Sequence, residues 1–192
     1  MKSPSNQQFA FTTTFNGISN KILSLLVVSP PKDIPDIQFE KKAVKAIWDT
    51  GATHTCISTK LANSLHLTPI SKRETKTANG DRLADVYLVD LLLPNNVQVN
   101  NIQVTGVELL DEVDALVGMD IISNGDFAIS NFEGRTAFSF RTPSVSKTDF
   151  VKKIEKKNIE KQNRMSKQDK RMKRKQAGIS RKKNRKKNKR NK

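Results

Sequence analysis

The sequence contains very little cysteine and no long apolar segment. Its 192 residues include one cysteine, Cys56, so no disulfide can form within the chain and nothing indicates an oxidising compartment. The first apolar run, Ile22–Val28, is followed by no small-residue cleavage pattern and is far too short to cross a bilayer. We therefore expect a cytoplasmic protein without a signal peptide or a membrane contact.

Acidic residues are scarce at one end of the chain only. The whole chain has 35 Lys+Arg, 19 Asp+Glu and a formal net charge of +16. Residues 147–192 contain 22 of the basic and 4 of the acidic residues, a net +18, which leaves −2 for the first 146 residues. The basic composition thus belongs to a tail, and the preceding part is long enough for one domain with its own core.

These shifts in composition predict three segments. Residues 1–20 form a polar N-terminal segment, residues 21–143 a folded domain, and residues 144–192 a Lys/Arg-rich tail. After a helix-like start at Thr148–Ile154 the tail becomes almost wholly Lys, Arg and Asn from Arg171 on, and such a composition cannot bury enough apolar surface to fold alone. We expect the tail to be disordered or partly helical.

The tail has two interpretations. It is either a solvated, self-repelling segment or a non-specific contact for RNA, ribosomes or other polyanions through residues 147–192. Sequence-specific recognition is not expected, because its basic part offers no side chains on which bases can stack. In a eukaryote the same composition would also serve as a nuclear localisation signal.

Short apolar runs separated by turn residues predict strands through the folded domain. Weak alternation at Phe9, Phe11 and Phe15 predicts an edge strand before it. Ser58 predicts the N-cap of a helix over Thr59–Leu65, and Met119–Ser123 predicts one further helical turn. The predicted strands and turns are Ile22–Val28, Ile37–Ile47, Thr55–Ile57, a hairpin from Thr75 with its tip at Asn79-Gly80 and its return arm over Leu83–Leu93, a turn at Pro94–Asn96, a strand pair over Val97–Leu110, Asp114–Gly118, and a hairpin joining Phe127–Ser130 to Thr136–Phe140. Many short strands with one or two short helices favour an all-β fold, a small closed β-barrel, over a parallel α/β sheet.

The most informative motif is Ile47-Trp48-Asp49-Thr50-Gly51-Ala52. An apolar strand-like run leads to the carboxylate of Asp49, and a tight turn follows. Gly51 has no Cβ to block the approach of backbone N–H groups of Gly51 and Ala52 to Asp49, and the Thr50 hydroxyl can hydrogen bond to the backbone. A carboxylate held in this way beside a second one is suited to activating water for amide hydrolysis, whereas alone it is an aspartate in an ordinary turn.

The motif, the Asn-Gly hairpin and the later Leu116-Val117-Gly118 segment occur in an order that resembles the retropepsin-like aspartic proteases, single-domain relatives of pepsin. The resemblance covers Lys21–Pro143 and implies a barrel of the acid-protease type. It also implies a flap at Ala78, Asn79 and Gly80, and a psi-loop strand at Leu116, Val117 and Gly118 beneath the catalytic loop. The stretch Gly118-Met119-Asp120 lacks the arginine usual in viral members, and the helix after Ser58 is typical of cellular and bacterial ones. The resemblance is therefore to the cellular or bacterial type, with a dimer held differently.

The resemblance implies an aspartic endopeptidase that acts on peptides or proteins and needs no metal or other cofactor. The chain has a single Asp-Thr-Gly, so a pair of carboxylates would require Asp49 and its symmetry mate in a homodimer, sharing one proton between them. Thr50 would tie the two loops together across the axis. The alternative is a nonenzymatic dimer of the same fold that binds RNA, ribosomes or other polyanions through its tail.

Other reactive residue types near the motif have plainer explanations. His54 and Cys56 suggest a Cys–His nucleophile or a metal site, but no third ligand or orienting asparagine lies nearby in sequence. We therefore expect Cys56 in the core and His54 at the rim. Asp114 and Asp120 are expected to be solvated in loops or to cap the helical turn, and Trp48 to pack beneath the catalytic loop.

Overall fold

The computed structural model describes residues 7–32, 40–77, 80–109 and 113–190. The chain divides into two units at residues 146 and 147. Within the described residues the first unit consists of strands and short helical turns, and the second of one long helix, α3. The elements are β1 (Phe9–Thr14), β2 (Leu23–Ser29), β3 (Lys42–Trp48), β4 (Cys56–Ser58), α1 (Thr59–Ser64), β5 (Ser71–Thr77), β6 (Gly80–Leu93), β7 (Val97–Val107), β8 (Ala115–Val117), α2 (Met119–Ile122), β9 (Asp126–Ser130), β10 (Ala137–Thr142) and α3 (Phe150–Arg190).

Six strands of the first unit pair in a closed ring. Going round it, β2 pairs with β3, β3 with β8, β8 with β4, β4 with β7, β7 with β6, and β6 again with β2. The pairs β3–β8 and β4–β7 are parallel, and the others are antiparallel. β5 extends the sheet beyond β6, and a separate three-stranded sheet has the order β1-β10-β9. The predicted all-β fold with short helices is therefore confirmed.

Aromatic side chains join the three-stranded sheet to the ring. Trp48, at the end of β3, is 4% exposed. Its ring centroid lies 5.0 Å from those of Phe138 and Phe140 on β10 and 6.2 Å from that of Phe127 on β9. The indole N–H donates to the Ser24 hydroxyl at 2.9 Å, which satisfies the one polar atom that this burial would otherwise leave unpaired. Trp48 thus packs beneath the Asp49 loop, as its position predicts.

Several local predictions match the observed elements. The Ser58 hydroxyl accepts a hydrogen bond from the Leu61 N–H at 3.0 Å and caps α1. β1 is an edge strand, a 3₁₀ turn spans Pro94–Asn96, and β9 pairs antiparallel with β10 as the final hairpin. The predicted strand at Ile37–Ile47 is described only from residue 40, and there the strand begins at Lys42.

The predicted strand pair over Val97–Leu110 is wrong, because β7 continues as one strand of 11 residues. Its pairing with β6 shifts between Val89 and Leu91, which is the signature of a β-bulge. At the bulge Asn101 has φ +55°, and its N–H donates to the buried Asp90 carboxylate at 2.8 Å. The bulge accommodates Asn101 within β7, so one strand continues where a strand pair is predicted.

The return arm of the hairpin begins earlier than predicted. Thr77 pairs with Gly80, so β6 begins at Gly80 rather than at Leu83. Gly80 has φ +104°, a conformation that glycine adopts without a steric cost. Ala78 and Asn79 lie outside the described residues.

The second unit contains a helix of 41 residues, α3. Every side chain described in it, from Phe150 to Ser180, is exposed. This accords with a tail that buries no core of its own. Among the described residues no helix is both long enough and apolar enough to span a membrane.

Candidate active site

Asp49 lies directly after β3, where this strand runs beside β8. The two strands are parallel and Trp48 is opposite Val117, so their carboxyl ends lie side by side. The Asp49 N–H donates to the Val117 carbonyl at 3.0 Å, which extends the pairing by one residue. The Asp49 side chain is half-buried, and its carboxylate therefore remains accessible at the edge of the ring.

The turn after Asp49 closes back on the carboxylate. The Gly51 N–H donates to Asp49 Oδ1 at 2.8 Å, as predicted, whereas the Ala52 N–H donates to the Asp49 backbone carbonyl at 3.3 Å instead. A Cβ on Gly51 would lie 3.2 Å from Asp49 Oδ1, tighter than ordinary contact, so a larger residue would disturb this hydrogen bond. Thr50 is exposed.

The predicted partner segment Leu116, Val117 and Gly118 meets the Asp49 loop. β8 lies between β3 and β4, although these two strands are consecutive in the chain. After Gly118 the backbone N–H of Met119 donates to the Ala52 carbonyl at 2.8 Å. A Cβ on Gly118 would lie 2.6 Å from the His54 carbonyl carbon and 2.7 Å from its oxygen, so only glycine allows the two loops to approach this closely.

Asp120 has a structural role that the sequence analysis missed. Its Oδ2 accepts the Thr55 N–H at 2.8 Å, and its Oδ1 accepts the Thr55 hydroxyl at 2.7 Å and the Ile121 N–H at 3.0 Å. The Thr55 hydroxyl in turn accepts the Gly118 N–H at 3.1 Å. Asp120 therefore links α2 to Thr55, which lies just after the Asp49 loop. Nothing in sequence signals this pair, because 65 residues separate its members.

Cys56 is not placed as a nucleophile. Burial, followed by the nearby Asp120 carboxylate, raises the pKa of its thiol to about 11, with Asp49 adding to the effect and Arg73 opposing it. The thiol donates weakly to the His54 backbone carbonyl at 3.5 Å rather than pairing with the imidazole, and His54 is exposed. No group of three or more His, Cys, Asp and Glu side chains in the described part of the chain could hold a metal ion.

The predicted flap corresponds in position to the hairpin of β5 and β6. Of its three predicted residues, only Gly80 lies within the described residues. Nearer the base, the Arg73 guanidinium on β5 donates to the Thr105 hydroxyl at 3.2 Å and to the Gln103 side-chain carbonyl at 3.5 Å, and both acceptors lie on β7. These contacts hold the base of the hairpin to the ring.

Comparisons with known proteins find one family model and solved structures of proteases. Residues 36–124 match the family model described as "gag-polyprotein putative aspartyl protease". A retropepsin-like aspartic protease from Rickettsia conorii is 16% identical with a TM-score of 0.45, and the match covers 71% of this chain and 96% of that one. The protease of Simian Foamy Virus (mac) is 23% identical with a TM-score of 0.35, over 52% of this chain and 92% of its own. No curated protein matches the sequence.

The family-model match contains the Asp49 loop, the β5–β6 hairpin and the segment Leu116–Gly118. These are the three features on which the predicted resemblance depends, and they occur in the predicted order. The predicted resemblance is therefore confirmed over residues 36–124, the part of the chain that matches the aspartyl protease family model.

Proposed function

We propose that the protein is an aspartic endopeptidase that acts as a homodimer. Asp49 and the partner subunit's Asp49 would together activate the water that hydrolyses the peptide bond. The observation that carries this proposal is the position of the Asp49 carboxylate, half-buried at the end of β3 and held by the Gly51 N–H at 2.8 Å. A carboxylate oriented by a backbone donor on a rigid strand end is suited to acid–base work.

The chemistry needs a second carboxylate, and the best candidates in the same chain are occupied. Asp120 accepts hydrogen bonds from Thr55 and Ile121, and Asp114 accepts the Ser58 hydroxyl at 3.1 Å. Both carboxylates thus hold neighbouring segments in place, and moving either would leave donors of the site unpaired. A symmetric copy of Asp49 supplies the missing group without such a cost.

The edge strand β9 is a suitable surface for the partner. Among the strands that the structure describes, β9 pairs with β10 alone, and an edge strand is a template for pairing with another chain. On β9, Ile129 is 46% exposed and Phe127 contacts Trp48, the residue before Asp49. Two copies joined along β9 would form a six-stranded sheet next to both Asp49 loops.

In the proposed reaction the two carboxylates share one proton, as the paired aspartates of other aspartic proteases do. The ionised member takes a proton from water, and the water oxygen bonds to the peptide carbonyl carbon. The protonated member donates to the oxygen that becomes an oxyanion, and the C–N bond breaks as a proton reaches the leaving nitrogen. Thr50 would link the two loops across the axis, and the flap at Ala78, Asn79 and Gly80 would cover an extended substrate.

Replacing the carboxylate tests the proposal directly. We expect Asp49→Asn to abolish cleavage of a mixed peptide library, with products identified by mass spectrometry, while the thermal unfolding temperature and the sedimentation of the dimer stay unchanged. Asp169→Asn, in the exposed surface of α3, is the matched control and should retain full activity. Cleavage by the Asp49→Asn protein at the unaltered rate would refute the proposal.

A ligand-binding measurement adds a readout that does not depend on a good substrate. The transition-state analogue pepstatin carries a hydroxyl where the attacked carbonyl would stand. We expect it to raise the unfolding temperature of the unaltered protein and to have no effect on Asp49→Asn. An equal shift for both proteins would mean that the analogue binds elsewhere and would count against an assembled pair of carboxylates.

A further inference from the structure

Helix α3 is a cationic rod that the proposed peptidase chemistry does not use. Its 41 residues correspond to a length of about 60 Å at 1.5 Å per residue. Between Phe150 and Arg190 it carries 20 Lys+Arg and 3 Asp+Glu. Every described side chain of the helix, from Phe150 to Ser180, is exposed, so the basic side chains up to Lys175 are available to a partner.

The charge is concentrated in the second half of the helix. Residues 150–169 contain 7 basic and 3 acidic residues, whereas residues 170–190 contain 13 basic residues and no acidic one. The cluster of Lys170, Arg171, Lys173, Arg174 and Lys175 is exposed, and its positions point round the helix at about 100° per residue. These five cations cover an arc of about 200° of the helix surface, which suits a partner that lines this face of the helix with negative charge on both sides.

The apolar residues of α3 argue against a coiled-coil partner and against a membrane surface. Val151, Met165, Met172 and Ile179 recur at multiples of seven residues and are 56–66% exposed. Of the positions that would complete a coiled-coil seam, Ile154 is apolar, whereas Lys161, Gln168 and Lys175 are polar, and the helix would repel a copy of itself. One narrow stripe is also far less apolar surface than a helix needs to lie in a membrane interface.

We propose that the second half of α3 binds double-stranded DNA along its phosphate backbone, with the helix in the major groove. This half contains no aromatic residue, so it lacks the stacking platform by which single strands are bound. An α-helix about 10–12 Å wide fits the major groove of B-form DNA, which is about 12 Å wide. The major groove of A-form RNA is too deep and narrow to admit it. Binding is independent of base sequence, because lysine-rich backbone contacts carry no sequence information.

Salt-dependent binding of the full-length protein to a 30-base-pair DNA duplex tests the proposal. Fluorescence anisotropy at a series of NaCl concentrations gives the affinity and its salt slope. Each phosphate contact contributes about 0.9 to that slope. Replacing Lys170, Arg171, Lys173, Arg174 and Lys175 by Gln, which retains helix propensity, should lower the slope by about 4 and the affinity at least 10-fold.

A control variant removes the same number of charges from the first half. Lys152, Lys153, Lys156, Lys157 and Lys161 are replaced by Gln, which should change the salt slope by less than half as much. Equal losses in the two variants, or no binding to the duplex at 50 mM NaCl, would overturn the proposal. So would tighter binding to an RNA duplex or a single strand of the same sequence, or to vesicles containing phosphatidylserine. Asp49→Asn should bind the duplex as the unaltered protein does, so the outcome is separate from that of the peptidase test.

Discussion

Asp120 is the side chain through which the Asp49 loop is fixed to α2, although it does not contact Asp49. We predict that Asp120→Ala lowers the free energy of unfolding by about 2 kcal/mol, because the Thr55 N–H loses its acceptor beneath the loop. Since Asp120 is a positioning residue, kcat should fall more than 10-fold with little change in KM. Urea unfolding and steady-state kinetics measure the two effects.

A double-mutant cycle with Thr55 separates this role from a general loss of stability. Thr55→Val removes the hydroxyl that donates to Asp120 at 2.7 Å and keeps the shape of the side chain. If the pair acts as one unit, the double variant loses less stability than the sum of the single variants, by about 1 kcal/mol. Strictly additive losses would show that Asp120 acts independently of Thr55.

Cys56 gives a prediction about pH. Because burial and Asp120 raise its pKa to about 11 from the ordinary 9.0, the folded thiol at pH 8 should react with iodoacetamide roughly 100-fold more slowly than the unfolded chain in urea. The protonated thiol is favoured in the folded state. Its contribution to stability is therefore present below pH 9 and is lost as the pH rises towards 11. Mass spectrometry of alkylated protein follows the rate, and equal rates in the two states would contradict the prediction.

Residues differ in how well sequence predicts their roles. The Asp49 motif is local, so the turn from Asp49 to Ala52 can be predicted from neighbouring residues, as the Gly51 hydrogen bond confirms. Asp120 and Thr55 meet only because β8 inserts between β3 and β4, and no local pattern encodes that meeting. The direction of the Ala52 N–H, which donates to a backbone carbonyl, also depends on the final fold of the loop.

At the scale of elements, Gly118 decides how closely the end of β8 approaches the Asp49 loop. We predict that Gly118→Ala destabilises the protein by about 2–4 kcal/mol and abolishes most activity. Its Cβ would meet backbone atoms of His54 at 2.6 and 2.7 Å, and backbone cannot move aside as a flexible side chain can. Thermal unfolding and the peptide-cleavage assay measure both losses.

Gly178→Ala in α3 is the control for the change of glycine to alanine. A Cβ there meets nothing within 4 Å, and alanine has the higher helix propensity by about 1 kcal/mol. This variant should keep full cleavage activity and have more helix by circular dichroism. If Gly118→Ala folded and cleaved as well as Gly178→Ala, the close approach of the two loops would be unimportant for the site.

A strand prediction failed where polar residues interrupt a continuous element. The alternation over Val97–Leu110 predicts a strand pair, yet the Asn101 N–H donates to Asp90 and β7 continues through a bulge. The Asn79-Gly80 pair read as a turn centre, yet Gly80 already pairs with Thr77. In both cases the partner strand sets the register of the pairing, which local propensity does not specify.

At the scale of the whole molecule, the proposal makes activity a property of two chains. Under this proposal the site beside the closed ring is one half of the catalytic centre, and the sequence leads to the same hypothesis because the chain has one Asp-Thr-Gly. Sequence did not predict where a partner would pair, because the edge strand β9 is defined only once β10 lies between β1 and β9. The number of chains in the active species is therefore the point to test.

Mixing active and inactive chains counts the subunits in the active species. Equal amounts of unaltered and Asp49→Asn protein, unfolded together and refolded, should form mixed dimers as often as chance allows. About one quarter of all dimers then carry two Asp49 carboxylates, so activity per total chain should fall to about one quarter of that of the unaltered protein. A fall only to one half would mean that each chain works alone. Asp169→Asn mixed in the same way should leave activity unchanged.

Ile129→Lys places a charge on the β9 edge, where the partner is proposed to pair. The activity of this variant should therefore fall steeply on dilution.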